Sequence, residues 1–168
     1  MKKLFLISSL AAISFLVACS NGGGQSKEEK KNIEASQAVS KAFETGDTSG
    51  IDKVVASDFV DHNERGDMGR DSLKSMISMA KSSAMKMETV KEATSGDYVF
   101  TWMKISGTSD GTMGMKPGPF TMSAIQVARC KDGKIVEHWG FMEDREIGKM
   151  MEMMQSTPPP MKDTTTHM

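Results

Sequence analysis

The turn at Asp132-Gly133 and the strand that follows it constrain the fold more than any other segment of the chain. An Asp-Gly pair between two apolar, alternating runs is a strong signal for a tight hairpin turn, so the segments 120–131 and 134–142 are expected to pair antiparallel. Successive side chains of a strand point to opposite faces of the sheet. The alternation therefore predicts that five residues share one face: Ile135, Glu137, Trp139, Phe141 and Glu143.

This alternation places the carboxylate of Glu143 on the same face as the rings of Trp139 and Phe141. A carboxyl group buried in such surroundings can act as a general acid or base, which makes Glu143 a candidate catalytic residue in phase with Trp139. Asp144 comes one residue later and is out of phase unless a bulge intervenes. The alternative is structural, because either acid could cap the helix that begins here.

The order of the predicted elements indicates one α+β domain. Apolar residues at helical spacing alternate with polar ones in the first half of the chain, and strand-like alternation dominates the second half. Helices followed by consecutive antiparallel strands predict N-terminal helices packed on a strongly curved antiparallel sheet that encloses a pocket. The predicted helices span 27–45, 50–57, 70–84 and 146–155, and the predicted strands span 86–93, 98–106, 120–131 and 134–142.

Several motifs, in this order, resemble the SnoaL-like polyketide cyclase family, a group of nuclear transport factor 2-like domains. The motifs are D-F-V-D-H-N at 58–63, G-R-D-S-L-K at 69–74, S-G-T at 106–108 and D-G-K-I-V-E-H-W at 132–139. The resemblance covers residues 30–154 and implies a cone-shaped α+β domain with a pocket open at one end. Because this fold hosts many functions, the motifs imply the fold more strongly than the activity.

The resemblance also implies roles for individual residues. Family members that cyclise polyketides use an acid a few residues after this tryptophan, the role implied for Glu143 or Asp144. The position of His62 and Asn63 lies near the pocket mouth in that family, so the resemblance implies a polar contribution from both. Cyclase-type relatives commonly read G-T-H where this chain has Ser109, and a hydroxyl cannot replace an imidazole base. That departure counts against catalysis.

Two functions follow, and a third depends on methionine. One reading is a module that binds a small hydrophobic molecule; the other is a cyclase or isomerase that moves a proton without a cofactor. The 17 methionines are numerous for 168 residues; thioethers are either adaptable packing or ligands for Cu(I).

The predicted pocket residues are Phe59, Asn63, Trp102, Met113, Met115, Phe120, Met122, Trp139 and Phe141, with His62, Glu143 and Asp144 as candidate catalytic groups.

The charge balance argues against nucleic acid as a partner. The chain has 21 basic and 22 acidic side chains and no basic stripe, whereas nucleic-acid binders concentrate positive charge. The three histidines at 62, 138 and 167 are scattered and lack the spacing of a zinc site.

A homodimer is implied by the resemblance, since many such domains pair through their sheets.

The N-terminal residues predict a lipoprotein. Lys2 and Lys3 precede an apolar run that is too short for a comfortable membrane span and ends in L-V-A-C at 16–19, a pattern typical of a bacterial lipoprotein signal. We therefore expect cleavage before Cys19 and a membrane anchor through lipid on its sulfur. Ser20 after the cysteine favours the outer membrane, facing the periplasm.

The remaining boundaries follow from composition. The predicted organisation is a signal peptide at 1–18, a Gly-rich tether at 19–29, the domain at 30–155 and a disordered tail at 156–168, which carries three consecutive prolines and lacks apolar periodicity.

Overall fold

A computed structural model of the chain describes residues 25–63, 66–111 and 115–154. The predicted signal peptide, the lipid attachment at Cys19 and the predicted disordered tail lie outside these residues. No helix within the described ranges is long and apolar enough to cross a membrane.

The described residues form helices first and a sheet second, with one further helix at the end. The bounds agree with the sequence-based elements to within a few residues. The exception is the predicted second helix at 50–57, because only Ile51–Val54 is helical and residues 55–57 belong to a strand. The elements are α1 (Lys27–Thr45), α2 (Ile51–Val54), β1 (Val55–His62), α3 (Arg70–Ala80), a 3-10 turn (Lys81–Ser83), β2 (Lys86–Ser95), β3 (Tyr98–Ser109), β4 (Gly118–Lys131), β5 (Lys134–Phe141) and α4 (Asp144–Met153).

Helix α1 has defined signals at both ends. The Glu29 amide donates to Ser26 Oγ at 3.0 Å, and the Ser26 amide donates to Glu29 Oε2 at 2.8 Å, so two backbone donors without helical partners are satisfied reciprocally. The helix ends at Gly46, whose φ of +70° lies in the left-handed region that glycine adopts without steric cost.

The five strands form one mixed sheet in the order β1-β5-β4-β3-β2. The α+β class is confirmed, and the four predicted strands pair antiparallel. The sheet contains a fifth strand that was not predicted, β1, which pairs parallel with β5. Hairpins form between strands close in sequence, whereas β1 reaches β5 only through tertiary packing across the sheet. Local sequence patterns do not report such a long-range pairing.

The hydrophobic core lies between α1, α3 and the inner face of the sheet. Ile51, Val55 and Ile77 are at most 1% exposed, and Cys130 in β4 is fully buried among them. Burial raises the pKa of the Cys130 thiol to about 11, because the charged thiolate is disfavoured away from water. This thiol is therefore apolar packing and not a nucleophile.

A bulge in β5 reverses the faces that simple alternation predicts. Arg129 of β4 pairs with Glu137, but the next residue, Cys130, pairs with Ile135, so Val136 is an extra residue in β5. Both Ile135 and His138 consequently face the helices, and Glu137 faces outward with Trp139. A single inserted residue changes the phase of every later side chain in the strand.

One contact between α1 and β2 predicts a pH-dependent stability. Glu44 Oε1 accepts a hydrogen bond from the Met87 amide at 3.0 Å, and this bond, with Lys41 nearby, lowers the pKa of Glu44 below its usual 4.5. In the unfolded chain Glu44 takes up a proton more readily, so its stabilising contribution is complete above about pH 4.5 and disappears as the pH falls through the lower folded-state pKa.

We expect the substitution Glu44→Gln to lower the free energy of unfolding by about 1 kcal/mol at pH 7. Urea unfolding of wild type and variant at pH 7 and pH 3 measures this, and the difference should shrink at the lower pH. A difference that is the same at both pH values would contradict the assignment.

Candidate functional site

A cavity of about 320 Å³ lies between the inner face of the sheet and the helices α1 and α3. Its wall is almost entirely apolar, and the lining reaches from the helices to strands β1 to β5. A volume of this size and composition matches pockets that hold small molecules. The apolar lining residues are Val39, Phe43, Val55, Phe59, Leu73, Met76, Met85, Met87, Met103, Ile105, Met115, Phe120, Met122, Ala128 and Ile135.

Three connected polar side chains interrupt this apolar wall. His138 Nδ1 lies 2.7 Å from Asp61 Oδ1, and His138 Nε2 lies 2.6 Å from Gln126 Oε1. Asp61 pairs directly with His138 across β1 and β5, and Gln126 on β4 reaches the imidazole diagonally, because its own partner on β5 is Gly140. The polar functions of Asp61, His138 and Gln126 are therefore concentrated at one position of the cavity, where they can orient a ligand's polar group or move a proton.

Backbone contacts on both sides hold Asp61 in place. Asp61 pairs with His138 across the β1–β5 ladder. On its other side its amide donates to the Met68 carbonyl at 2.8 Å, and its carbonyl accepts from the Met68 amide at 3.0 Å. The Asp61 side chain is only 13% exposed, so water competes little for its contact with the imidazole. The carboxylate is thus fixed before any ligand arrives.

Methionines supply a large part of the cavity wall. Thioether side chains are unbranched, flexible and polarizable, so such a wall adapts to ligands of different shapes. Copper binding through these thioethers stays a prediction. Among the described residues, no group of three or more His, Cys, Asp or Glu side chains could hold a metal ion. The six lining methionines are Met76, Met85, Met87, Met103, Met115 and Met122.

The predicted pocket residues divide between the two faces of the sheet. Phe59, Met115, Phe120 and Met122 line the cavity, and Met113 lies outside the described residues. The placement of three aromatic residues in the pocket is wrong, because they lie on the outer face of the sheet: Trp102, Trp139 and Phe141. Trp102 is 49% and Phe141 55% exposed. The bulge in β5 causes this for Trp139 and Phe141.

His62 and Asn63 do not line the cavity either. His62 follows Asp61 in the strand and points to the opposite face, where its ring stacks on Trp139 with 4.9 Å between centroids. Its Nδ1 lies 2.9 Å from Asp67 Oδ1. Asn63 is exposed at the end of β1. The predicted place of both residues at the pocket is wrong: His62 is out of phase with Asp61, and Asn63 lies beyond the last residue of β1.

Glu143 and Asp144 belong to the start of α4 and lie away from the cavity lining. Glu143 is the N-cap residue of α4, and its side chain, 66% exposed, forms an ion pair with Arg145 at 2.7 Å. Asp144 lies in the first helical turn, where negative charge favours the helix dipole. Both acids thus lie at the start of α4, as the structural alternative predicts, although the Glu143 side chain makes no capping hydrogen bond. Neither acid lines the apolar cavity.

The sequence carries signals for the cluster of Asp61, His138 and Gln126, but strict alternation of strand faces does not reveal them. Asp61 and His138 stand inside the two most specific motifs, but strict alternation with Trp139 in the pocket turns His138 away from it. Gln126 breaks an otherwise apolar row on β4 that runs through Phe120, Met122 and Ala128. A polar residue in such a row is a recognisable signal for a site.

Many solved structures share this fold, and three of them are 15%, 16% and 23% identical to this chain. IdmH, a candidate polyketide cyclase from Streptomyces antibioticus, is 23% identical with a TM-score of 0.59, covering 72% of this chain and 98% of IdmH. A candidate SnoaL-like polyketide cyclase from Jannaschia sp. is 15% identical with a TM-score of 0.63, covering 82% and 100%. TsrD from Streptomyces laurentii is 16% identical with a TM-score of 0.65, covering 78% and 100%.

The family assignment rests on sequence as well as on fold. No curated protein matches the chain significantly. The sequence profile described as SnoaL-like polyketide cyclase matches residues 33–149, most of the chain, and that range contains both the helices and the strands that enclose the cavity. The chain belongs to the SnoaL-like polyketide cyclase family, within the nuclear transport factor 2-like fold.

Proposed function

We propose that this domain binds a small, largely apolar molecule in its cavity and holds a polar group of that molecule against Asp61, His138 and Gln126. The observation that carries the proposal is an apolar cavity of about 320 Å³ in which three connected polar side chains are grouped at one place. Apolar walls supply affinity through burial, and a few placed polar groups supply orientation.

Filling the cavity should abolish binding. Ser40 on α1 lines the cavity, and a phenyl ring in the variant Ser40→Phe would occupy the space of a ligand. We expect the affinity for the fluorescent apolar probe N-phenyl-1-naphthylamine to fall at least about tenfold, a loss of about 1.4 kcal/mol, measured by fluorescence titration.

The matched control for this prediction is Ala38→Phe, on the same helix but at an exposed position outside the cavity lining. Its probe affinity should equal that of the wild type. Equal binding by wild type, Ser40→Phe and Ala38→Phe would show that the probe does not enter this cavity and would contradict the proposal.

We also propose that the domain is a lipoprotein of the bacterial envelope, anchored through Cys19 in the outer membrane and facing the periplasm. Support comes from the basic start, the apolar run and the L-V-A-C pattern at 16–19. Acyl chains hold a protein at a membrane with roughly 0.8 kcal/mol for each buried methylene.

Removing the predicted attachment atom tests this anchor. We expect Cys19→Ser to move the protein from the membrane fraction to the soluble fraction of fractionated cells, because no acyl chain can be attached. Ser20→Ala should stay in the membrane fraction. A Cys19→Ser protein that remains with the membranes would rule out the lipid anchor.

The outer face of the sheet supports a further part of the proposal, a homodimer. Cross-strand pairing makes six apolar side chains contiguous there, and their shared burial would shield a large apolar patch from water. The indole N–H of one of them, Trp102, already donates to Ser123 Oγ at 2.7 Å, so its burial leaves no unsatisfied donor. The six residues are Phe100, Trp102, Ile125, Val127, Trp139 and Phe141.

The size of this patch favours a second copy of the chain as the partner. Phe100, Trp102 and Phe141 are 40%, 49% and 55% exposed; at 150–250 Å² for each aromatic side chain, they alone present on the order of 300 Å². A stable dimer buries about 800 Å² on each partner. The patch, extended by its polar rim, is large enough to form the centre of a two-fold interface.

A second candidate function is a cofactor-free cyclase or isomerase that uses a carboxylate in the pocket. The contact between a buried carboxylate and an imidazole at the cavity wall favours it, since such pairs serve as general acids and bases. The carboxylate that meets this description is Asp61, because Glu143 and Asp144 do not line the cavity.

A further inference from the structure

The predicted lipid anchor lies close to the N-terminal end of α1. The helix begins at Lys27, directly after its cap Ser26, so only residues 20–26 separate it from Cys19. A chain of this length spans at most about 25 Å even when it is fully extended. The end of the domain at which α1 begins is therefore held near the surface that carries the anchor.

Two hairpins of the sheet reach the same end of the domain. Thr94, close to the turn between β2 and β3, donates from Oγ1 to Glu29 Oε1 at 3.1 Å. A Cβ added to Gly133, in the turn between β4 and β5, would lie 3.5 Å from Cβ of Lys31. Both turns therefore contact the first two turns of α1. We call this part of the surface, formed by residues 26–31, 51–54, 94–97 and 131–134, the tether end.

Six exposed lysines gather at the tether end from separate segments of the chain. Lys134 Nζ donates to the backbone carbonyl of Asp52 at 3.0 Å, which brings α2 next to the β4–β5 hairpin. The Asp52 carboxylate is already bound by Arg70 and Lys74, so it does not neutralise the tether end. The six lysines come from α1, α2 and the β4–β5 hairpin: Lys27, Lys30, Lys31, Lys53, Lys131 and Lys134.

The positive charge of these lysines is not compensated by ion pairs. Within the part of the chain that the structure describes, ion pairs of lysine involve Lys41, Lys74 and Lys149 instead. The chain as a whole has 21 basic and 22 acidic side chains, so an excess of lysine at one end leaves the remaining surface acidic. The acids at the tether end besides Asp52 are fewer than the lysines: Glu28, Glu29, Asp97 and Asp132.

We propose that the tether end docks on the anionic phospholipid headgroups of the membrane that carries the anchor; this inference rests on the proposed lipid anchor at Cys19. Lysines are attracted to an anionic bilayer when they lie within a Debye length of it, about 8 Å at physiological salt. The short connection to the anchor keeps the lysines near that distance. A lipid chain and a basic surface together hold a protein more firmly than either alone. The acidic remainder of the surface is repelled, so the same charges orient the domain.

Docking in this orientation turns the accessible part of the cavity wall away from the bilayer. Phe43, in the last turns of α1, lines the cavity together with Met85 and Met115, and all three are partly exposed. At 1.5 Å for each helical residue, Phe43 lies about 24 Å along α1 from Lys27. A ligand therefore enters from the aqueous side and not from the anchoring membrane.

Dyes at the two ends of the domain test the docking. The acylated protein is reconstituted in phosphatidylcholine vesicles with nitroxide-labelled headgroups, with or without phosphatidylglycerol. Ser95→Cys places a thiol for the dye at the tether end, and Ser82→Cys places one beside the other end of α1, where Lys81 contacts Gly46. Both serines are exposed, and the native thiol of Cys130 is buried and does not react.

We expect phosphatidylglycerol to increase the quenching of the Ser95→Cys dye at least about twofold and to leave the Ser82→Cys dye unchanged. About 1 M NaCl, which shortens the Debye length to about 3 Å, should abolish the increase.

Two triple variants with the same change of charge show which lysines are responsible. Lys27→Gln, Lys30→Gln and Lys31→Gln, combined, should remove the increase caused by phosphatidylglycerol. Glutamine and lysine have similar helix propensities, so α1 should stay intact, as circular dichroism would show. The matched control replaces three exposed lysines outside the tether end and should keep the full increase: Lys81→Gln, Lys86→Gln and Lys104→Gln.

Flotation of the vesicles separates failure of the docking from failure of the anchor. If the acylated protein floats with the vesicles but the Ser95→Cys dye is quenched equally with and without phosphatidylglycerol, the docking is overturned and the anchor stands. Equal increases at both dyes would overturn the orientation and with it the inference. A wild-type protein that carries no acyl chain and does not float would overturn the anchor and the inference together. An increase confined to Ser95→Cys, lost in the α1 variant and kept in the control, supports both.

Discussion

Replacement of Gly107 by alanine is expected to lower the free energy of unfolding by about 2 kcal/mol and to shrink the cavity. A Cβ at this position would lie 2.7 Å from the Ser83 carbonyl oxygen and 2.8 Å from Cζ of Phe120, closer than carbon atoms tolerate. Overpacking a filled site of this kind costs roughly 1–3 kcal/mol. The Phe120 ring can relieve its contact by shifting, whereas the contact with the Ser83 carbonyl oxygen requires a movement of the backbone.

Displacement of the Phe120 ring in Gly107→Ala should change both the stability of the fold and the affinity of the cavity for a probe. Phe120 is 5% exposed and lines the cavity, so a shift of its ring away from Gly107 moves it towards the ligand space. The affinity of Gly107→Ala for N-phenyl-1-naphthylamine should therefore fall together with its stability, as measured by fluorescence titration and urea unfolding of the same preparation.

Gly148→Ala is the matched control, with the opposite sign. Gly148 lies within α4, and nothing lies within 4 Å of an added Cβ. Alanine is favoured over glycine in a helix by about 1 kcal/mol, so this variant should be more stable than the wild type and bind the probe equally. If Gly107→Ala were as stable as Gly148→Ala, the close packing around Gly107 would be refuted.

The second large effect is expected on association. Trp102 belongs to the apolar outer face, with Phe100 two residues before it and Ile125 opposite on β4. A carboxylate in the variant Trp102→Glu would be buried without a partner in the dimer but solvated in the monomer. We expect the dimer dissociation constant, measured by sedimentation velocity, to rise more than about 100-fold, or about 2.7 kcal/mol.

A charge elsewhere on the surface should have no such effect. Met79 on α3 is 52% exposed and lies on the helical side of the domain, so Met79→Glu should associate like the wild type. Trp102→Glu should also keep its probe affinity, because Trp102 does not line the cavity. A wild-type protein that sediments as a monomer at all concentrations would exclude the homodimer.

Local sequence signals were sufficient for most elements of this fold. The capping box at Ser26 and Glu29, the glycine at 46 and the Asp-Gly turn each act within a few residues, so the chain reports them directly. On β3 the observed alternation buries Val99 and Met103 and exposes Phe100 and Trp102. Local signals are readable from the chain because the physical cause and the residues are adjacent.

The same local rules did not predict the candidate site, because the residues that form it are distant in sequence. Asp61 and His138 are 77 residues apart and meet only through the parallel pairing of β1 with β5. The bulge at Val136 then turns His138 inward and Trp139 outward, against strict alternation. A bulge depends on how two strands fit together, so neither strand alone predicts it.

The sequence by itself determined the helices, the hairpins, the α+β class and the family, because periodicity, caps and turn residues act locally. The tertiary structure alone decided which face of each strand encloses the cavity and which side chains meet there. Asp61, His138 and Gln126 come from three strands, and their contact depends on strand order and on one extra residue in β5. Both are properties of the assembled sheet, since its register is fixed only when the core packs.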